Sequence, residues 1–87
     1  MTLAWQQYIS KALDINPDLV AAYGDLGIVY NKAGKPDDAI RVSEQCLRRF
    51  HDYVPALTNL FDSYRIKNNI PKAQEYAARI EALTHHK

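Results

Sequence analysis

The stretch YGDLGIVYNKAGKPDDAI, residues 23–40, decides the fold, because it contains a helical pattern, its stop and the start of another helix. Small and apolar side chains recur at i, i+3, i+4 and i+7, the spacing of one helix face, at Tyr23, Leu26, Gly27 and Tyr30. Gly27 lies at the centre of this face, although glycine costs about 1 kcal/mol relative to alanine inside a helix. We expect its missing side chain to bring the next helix close, with Ala39 as the small contact residue there.

Proline, glycine and asparagine divide the chain into five predicted helices. Pro17, Gly34 and the pair Asn68–Asn69 mark helix ends, because each favours backbone conformations that do not continue a helix. Pro36 and Pro71 suit first helical turns, where a missing N–H costs nothing. The predicted helices are Leu3–Ile15, Leu19–Lys32, Pro36–Phe50, Val54–Lys67 and Pro71–Thr84. The connections are short, so neighbouring helices are expected to run antiparallel.

The chain repeats itself with a period of 34 residues. Alignment of 20–53 with 54–87 gives identical pairs at Val20/Val54, Ala22/Ala56, Leu26/Leu60, Tyr30/Tyr64, Ala39/Ala73 and His51/His85. Most of these positions are ones where packed helices need small or apolar side chains. Gly34 aligns with Asn68, another residue type that tolerates a left-handed turn. A period of this length indicates a helical repeat protein.

These residues resemble the tetratricopeptide repeat family, whose pattern is W-x2-L-G-x2-Y, then A-x3-F, then P. The first copy offers Tyr23, Leu26, Gly27, Tyr30, Ala39 and Ser43, and the second offers Leu57, Leu60, Phe61, Tyr64, Ala73 and Ala77. The resemblance implies an all-α fold, a right-handed α-α superhelix of five antiparallel helices. It implies a single domain, 1–87, in which 1–19 hold the second helix of a partial repeat and 20–53 and 54–87 are full repeats.

The second copy departs from the family pattern at one buried position. Phe61 stands where the first copy has Gly27. Either the second hairpin is splayed, or the Phe61 ring turns into a gap beside Ala73 and Ala77. His51 and His85 also replace the terminal proline of each repeat, so we expect softer helix stops there.

Charge and hydropathy exclude several classes of function. The net charge is +1 with interspersed signs, so the sequence predicts no nucleic-acid partner and no anionic-membrane surface. The absence of a basic recognition helix argues against the helix-turn-helix alternative. No uncharged stretch approaches the ~20 apolar residues of a spanning helix. The single cysteine favours a reducing compartment, so we expect a cytoplasmic protein, while the resemblance leaves a bacterial periplasm open.

No set of residues predicts catalysis, a metal site or a cofactor. The segment AGKP, residues 33–36, lacks the upstream glycine and the Ser or Thr of a phosphate loop. Cys46 lies on the apolar stripe of its helix and is interpreted as a small buried residue rather than a nucleophile. His85 and His86 are adjacent, so they point to different sides of a helix and do not suggest zinc.

The resemblance places partner binding on the concave wall, which the first helix of each repeat lines. The side chains expected to contact a peptide or helix of a protein partner are Ile28, Asn31, Lys32, Asn59, Asp62 and Arg65. Their mixed charge predicts a polar partner rather than a strongly acidic one. We therefore expect an interaction scaffold. The alternative is a regulatory or substrate-positioning segment of a larger enzyme or assembly factor.

The first helix is expected to pack on the second, leaving a further stripe unpaired. This stripe comprises Trp5, Ile9 and Ala12, at spacings of four and three. It corresponds to the surface that would face the missing first helix of the partial repeat. Because an apolar stripe of this kind avoids water, we expect another chain to cover it, most simply in a homodimer, unless further repeats precede it.

Overall fold

The computed structural model describes the backbone of residues 2–85 and the side chains of residues 8–85. Its helices are α1 Thr2–Ile15, α2 Leu19–Lys32, α3 Pro36–Arg49, α4 Val54–Ile66 and α5 Ile70–Thr84. No strand occurs within that described range. The predicted all-α repeat fold is therefore confirmed, and each predicted helix end lies within a residue of the observed one.

The turns between paired helices repeat as the sequence does. Gly34 and Asn68 both adopt left-handed backbone conformations, with φ of 77° and 65°. After each of them, the next backbone N–H donates to the carbonyl of Tyr30 or Tyr64, at 2.9 and 2.8 Å. Glycine adopts this conformation without strain, and asparagine is one of the few other residues that tolerates it. The two hairpins, α2–α3 and α4–α5, are therefore closed in the same way.

The core lies where α1, α3 and α4 meet. Its buried cluster contains apolar residues of all three helices: Ile9, Leu13, Val42, Cys46 and Ala56. Partly buried side chains of α2, among them Tyr23, Leu26 and Tyr30, pack against this cluster. Each fully buried residue of this size contributes roughly 1–3 kcal/mol by leaving water.

The helix α1 packs mainly on α3 and touches α2 only slightly, which corrects the expectation that it would pack on α2. Ile9 and Leu13 enter the core cluster on its α3 side. Polar contacts reinforce this docking, because the Ser10 hydroxyl donates to Gln45, and Arg49 pairs with Asp14 at 3.0 Å. The α3 side chains Val42 and Cys46 are fully buried in the same cluster as Ile9 and Leu13, so α3 supplies the apolar surface on which α1 packs.

Candidate functional site

Three hydrogen bonds join α2 to α4 and a fourth lies within α4, and the residues that make them are called here the α2–α4 joint. The Asn59 side-chain amide donates to the Gly24 carbonyl at 2.8 Å. The Asn31 amide donates to the Asn59 carbonyl at 3.2 Å. The Ser63 hydroxyl lies 2.7 Å from Asn31 Oδ1 and 2.8 Å from the Asn59 carbonyl. Since Asn59 is only 2% exposed, this joint replaces apolar packing between the two helices with directed hydrogen bonds.

Gly27 makes room for this joint. A Cβ built on Gly27 would lie 2.5 Å from Asn59 Nδ2 and 3.3 Å from Ser43 Oγ. The first distance is shorter than any ordinary contact of a Cβ atom, so alanine would displace the amide. The expected close approach of α3 is present at Ser43, whereas Ala39 is not among the nearest neighbours of an added Cβ, so its role as the contact residue is corrected. The tightest space at Gly27 is taken by a side chain of α4.

The predicted partner-binding residues divide into buried and exposed members. Asn59 is buried and committed to the joint, so its assignment to a partner surface is corrected. Asn31 is half-buried and uses its amide inside the same joint. The exposed or half-buried members form what we call the inner wall: Ile28, Lys32, Asp62 and Arg65.

Arg65 is the most highly connected side chain of the inner wall. Its guanidinium pairs with Asp62 at 3.5 Å, one helical turn away. The same guanidinium lies 5.6 Å from the centre of the Phe61 ring, a cation–π distance. More than half of the Arg65 side chain stays exposed, so the ion pair adds little stability and the charge remains available to a ligand.

An ion pair below the inner wall ties the two hairpins together. Lys67, just after α4, pairs with Asp37 in the first turn of α3. The hydrogen bond and the charge of Lys67 hold the pKa of the Asp37 carboxyl below its usual value. The carboxylate also faces the positive end of α3, which favours its charged form.

The stripe predicted for self-association is not an exposed surface where the structure describes it. Trp5 lies outside the residues whose side chains are described. Ile9 is 2% exposed and belongs to the core, and Ala12 is half-buried. The exposed apolar side chains of α1 are instead Tyr8 and Ile15, at 71% and 78%. The stripe is rotated because α1 turns its Ile9 face toward α3.

Within the residues that it describes, the structure gives no reactive site at the segments considered for catalysis or metal binding. Cys46 is fully buried, and burial raises the pKa of its thiol to about 11, so the reactive thiolate is scarce near neutral pH. Gly34 of the AGKP segment simply reverses the chain after α2. Within the described residues, no three His, Cys, Asp or Glu side chains come together as a metal site. His86 lies outside the described residues.

Two grooves were not predicted from the sequence. The first, which we call the end groove, has a volume of about 410 Å³ and is lined by Phe61, Ala77, Ile80, Glu81, Thr84 and His85. The second has a volume of about 700 Å³ and lies between α3 and α5, where Arg79 donates to the His51 carbonyl at 3.3 Å. The 34-residue repeat gives a partial signal for the end groove, because it maps three of the lining residues, Phe61, Ala77 and Ile80, onto positions that are buried in the first copy.

Comparison with known proteins bears on the first half of the chain. A family model described as tetratricopeptide repeat matches residues 8–41. The matched segment covers the second half of α1, all of α2 and the beginning of α3. No curated protein and no solved structure gave a significant match. None of the described helices is long and apolar enough to cross a membrane.

Proposed function

We propose that this chain is a member of the tetratricopeptide repeat family, whose model matches residues 8–41, and that it is a non-enzymatic module that binds a protein partner. The binding surface is the inner wall on α2 and α4. One observation carries this proposal: the α2–α4 joint fixes the two helices with buried hydrogen bonds while the neighbouring side chains Ile28, Lys32 and Arg65 remain exposed. A fixed backbone with exposed side chains reduces the entropy lost on binding.

The chemistry of the inner wall defines the partner class. Ile28 supplies an apolar contact, Lys32 and Arg65 supply positive charge, and Asp62 supplies one carboxylate beside Arg65. A peptide or helix with an apolar side chain flanked by polar and acidic groups complements this set.

The division into a partial repeat, 1–19, and two repeats, 20–53 and 54–87, belongs to the same proposal. The matching left-handed turns at Gly34 and Asn68 support it.

The homodimer through α1 is retained as a proposal in a revised form. Its support is the exposure of Tyr8 and Ile15, which lie seven residues apart on one side of α1. Two large apolar side chains on one helix face favour contact with another apolar surface. We also propose a cytoplasmic location, for which the support is that the single cysteine, Cys46, is free.

A charge-reversal comparison tests the inner wall. Partner proteins are captured on the chain and on the double variant Lys32→Glu with Arg65→Glu. The control is Lys11→Glu with Arg48→Glu, which makes the same change in net charge at exposed positions away from the inner wall. We expect the Lys32→Glu and Arg65→Glu pair to weaken the binding free energy for each partner by about 1–3 kcal/mol. We expect the control pair to leave the affinity unchanged. Equal affinity of the native chain and both double variants would show that the inner wall is not the binding surface.

A further inference from the structure

The end groove is the counterpart of a groove that the chain already fills. A shift of 34 residues maps Phe61, Ala77 and Ile80 onto Gly27, Ser43 and Cys46. In the first copy these counterparts are buried, because α4 lies against them. In the second copy Phe61, Ala77 and Ile80 are only half-buried, and Glu81, Thr84 and His85 are exposed.

The first groove shows what kind of element fits. The helix α4 enters it with three residues on one face, Ala56, Asn59 and Ser63, all of them buried. Ala56 joins the cluster that contains Val42 and Cys46, and Asn59 enters the space above Gly27. A single helix with small or compact side chains on one face is thus the observed occupant.

We propose that the end groove binds one amphipathic helix of a partner protein that presents alanine or glycine to Phe61. The partner residue that faces Phe61 has to be small because the bulkiest side chains that line the end groove are larger than their counterparts in the first groove. Phe61 brings a ring to the position where Gly27 has no side chain, and Ile80 is larger than Cys46, so we expect too little space for a residue as large as asparagine opposite Phe61. The apolar ring would also leave such an amide without a hydrogen-bond partner, which is costly in a buried site.

A second copy of the chain is a poor occupant of this groove. Among its helices, α2 is the one whose residues align with α4 at the same 34-residue shift. Asp25 then takes the place of Asn59 and would bring a carboxylate onto the apolar face of Phe61. Burial of an unpaired carboxylate is more costly than burial of an amide. Glu81 on the rim adds a like charge and favours a helix that carries lysine or arginine at its edge.

The groove shares none of the four inner-wall residues, although its Phe61 ring lies next to Arg65, so this proposal does not rest on the one above. The probe is a peptide of the α4 sequence, residues 54–66, made in two forms: unchanged and with Asn59→Ala. Binding to the full chain is followed by the backbone amide signals of Phe61, Ala77 and Ile80 in a nuclear magnetic resonance titration. We expect the Asn59→Ala peptide to bind about tenfold more tightly than the unchanged peptide.

Two protein variants separate the groove from the rest of α5. Ala77→Glu places a charge in the groove, whereas Ala78→Glu places the same charge on the exposed side of α5 next to it. We expect loss of peptide binding with Ala77→Glu and none with Ala78→Glu. Circular dichroism of both variants checks that the fold is intact. If Ala77→Glu does not fold, Phe61→Gly replaces it, and we expect this variant to prefer the unchanged peptide.

Three results would overturn the proposal. One is equal binding of the two peptides by the native chain. Another is equal loss of binding by Ala77→Glu and Ala78→Glu, or no reversal of preference by Phe61→Gly. The third is a dimer of the native chain, seen by light scattering, that the Ala77→Glu or Phe61→Gly variant converts to a monomer, since the occupant would then be a second copy.

Discussion

The carboxamide of Asn59 occupies the space that a side chain on Gly27 would need, at 2.5 Å from an added Cβ. Moving the amide away would break its 2.8 Å hydrogen bond to the Gly24 carbonyl. The cost of a glycine in the middle of α2 is therefore offset by a buried contact between two helices that are distant in sequence. The two residues constrain each other, and a double-mutant cycle measures how strongly.

Gly27→Ala is expected to lower the free energy of unfolding by about 1–2 kcal/mol. Overpacking against Asn59 outweighs the gain in helix propensity. In an Asn59→Ala background the same change is expected to stabilise slightly, because the propensity gain is then opposed only by the looser 3.3 Å approach to Ser43 Oγ. Gly24→Ala is the control, since a Cβ there would meet its nearest neighbour, Tyr53, at an ordinary 3.4 Å. Urea unfolding of the variants gives the sign of the change in the free energy of unfolding. Destabilisation by Gly27→Ala that persists in the Asn59→Ala background would contradict the proposed clash with Asn59.

Ser43→Ala is expected to raise the free energy of unfolding by about 1 kcal/mol. Ser43 Oγ is buried and has no hydrogen-bond partner among the described residues, so the hydroxyl bears a desolvation cost without compensation. Ser63→Ala is the matched comparison, because the Ser63 hydroxyl is bonded within the α2–α4 joint. We expect that variant to lose about 1 kcal/mol. Thermal or urea unfolding measures both variants. The prediction is refuted if Ser43→Ala and Ser63→Ala both raise, or both lower, the free energy of unfolding relative to the native chain.

The Cys46 thiol is expected to resist alkylation in the native chain at pH 8 and to react readily in urea. Burial raises its pKa from 9.0 to about 11, so the unfolded state ionises first as pH rises. The folded state then binds more protons between these values, and stability is expected to fall as pH increases above 9. Burial also raises the pKa of Tyr23, Tyr53 and Tyr64, which adds to the same trend.

The variant Cys46→Ala isolates the thiol from the tyrosines. Its free energy of unfolding should decline less steeply between pH 9 and 11 than that of the native chain. Identical slopes would mean that the thiol is not desolvated in the folded state.

Self-association through α1 predicts a dimer whose stability depends on Tyr8 and Ile15. Replacement of both by serine is expected to leave a monomer at high micromolar concentration, because the apolar contact area is removed. Ile70→Ser removes an exposed apolar side chain at the start of α5 and serves as control. Light scattering after size-exclusion chromatography distinguishes the states, and a monomeric native chain at the same concentration rules out this interface.

Helix boundaries were predictable because they depend on local chemistry. Gly34 and Asn68 set left-handed turns, and Pro36 opens α3 in its first turn, with no need for distant residues. The exposed faces of α2 near Ile28 and Lys32 also followed from the repeat pattern. Each of these features depends on a few residues that are close in sequence, and a repeat pattern contains this local information.

Two features depended on competition between distant partners and were not predictable in this way. Ile9 and Leu13 of α1 could pack on an apolar stripe of either α2 or α3, and the choice of α3 depends on how all of these helices fit together. Asn59 looked like a surface residue because its side chain is polar. Only the space above Gly27 and the Gly24 carbonyl make its burial favourable, and neither is visible from Asn59 itself.

Phe61 belongs to two surfaces at once. Arg65 of the inner wall lies over its ring, and the same ring lines the end groove. A ligand that shifted the ring from one side would change the contacts on the other side, and binding at the two surfaces would then be thermodynamically linked. Such linkage is reciprocal: whatever factor the first ligand applies to the affinity of the second, the second applies to the first. A single aromatic side chain in place of glycine thus provides a route for communication between two faces of a small helical protein.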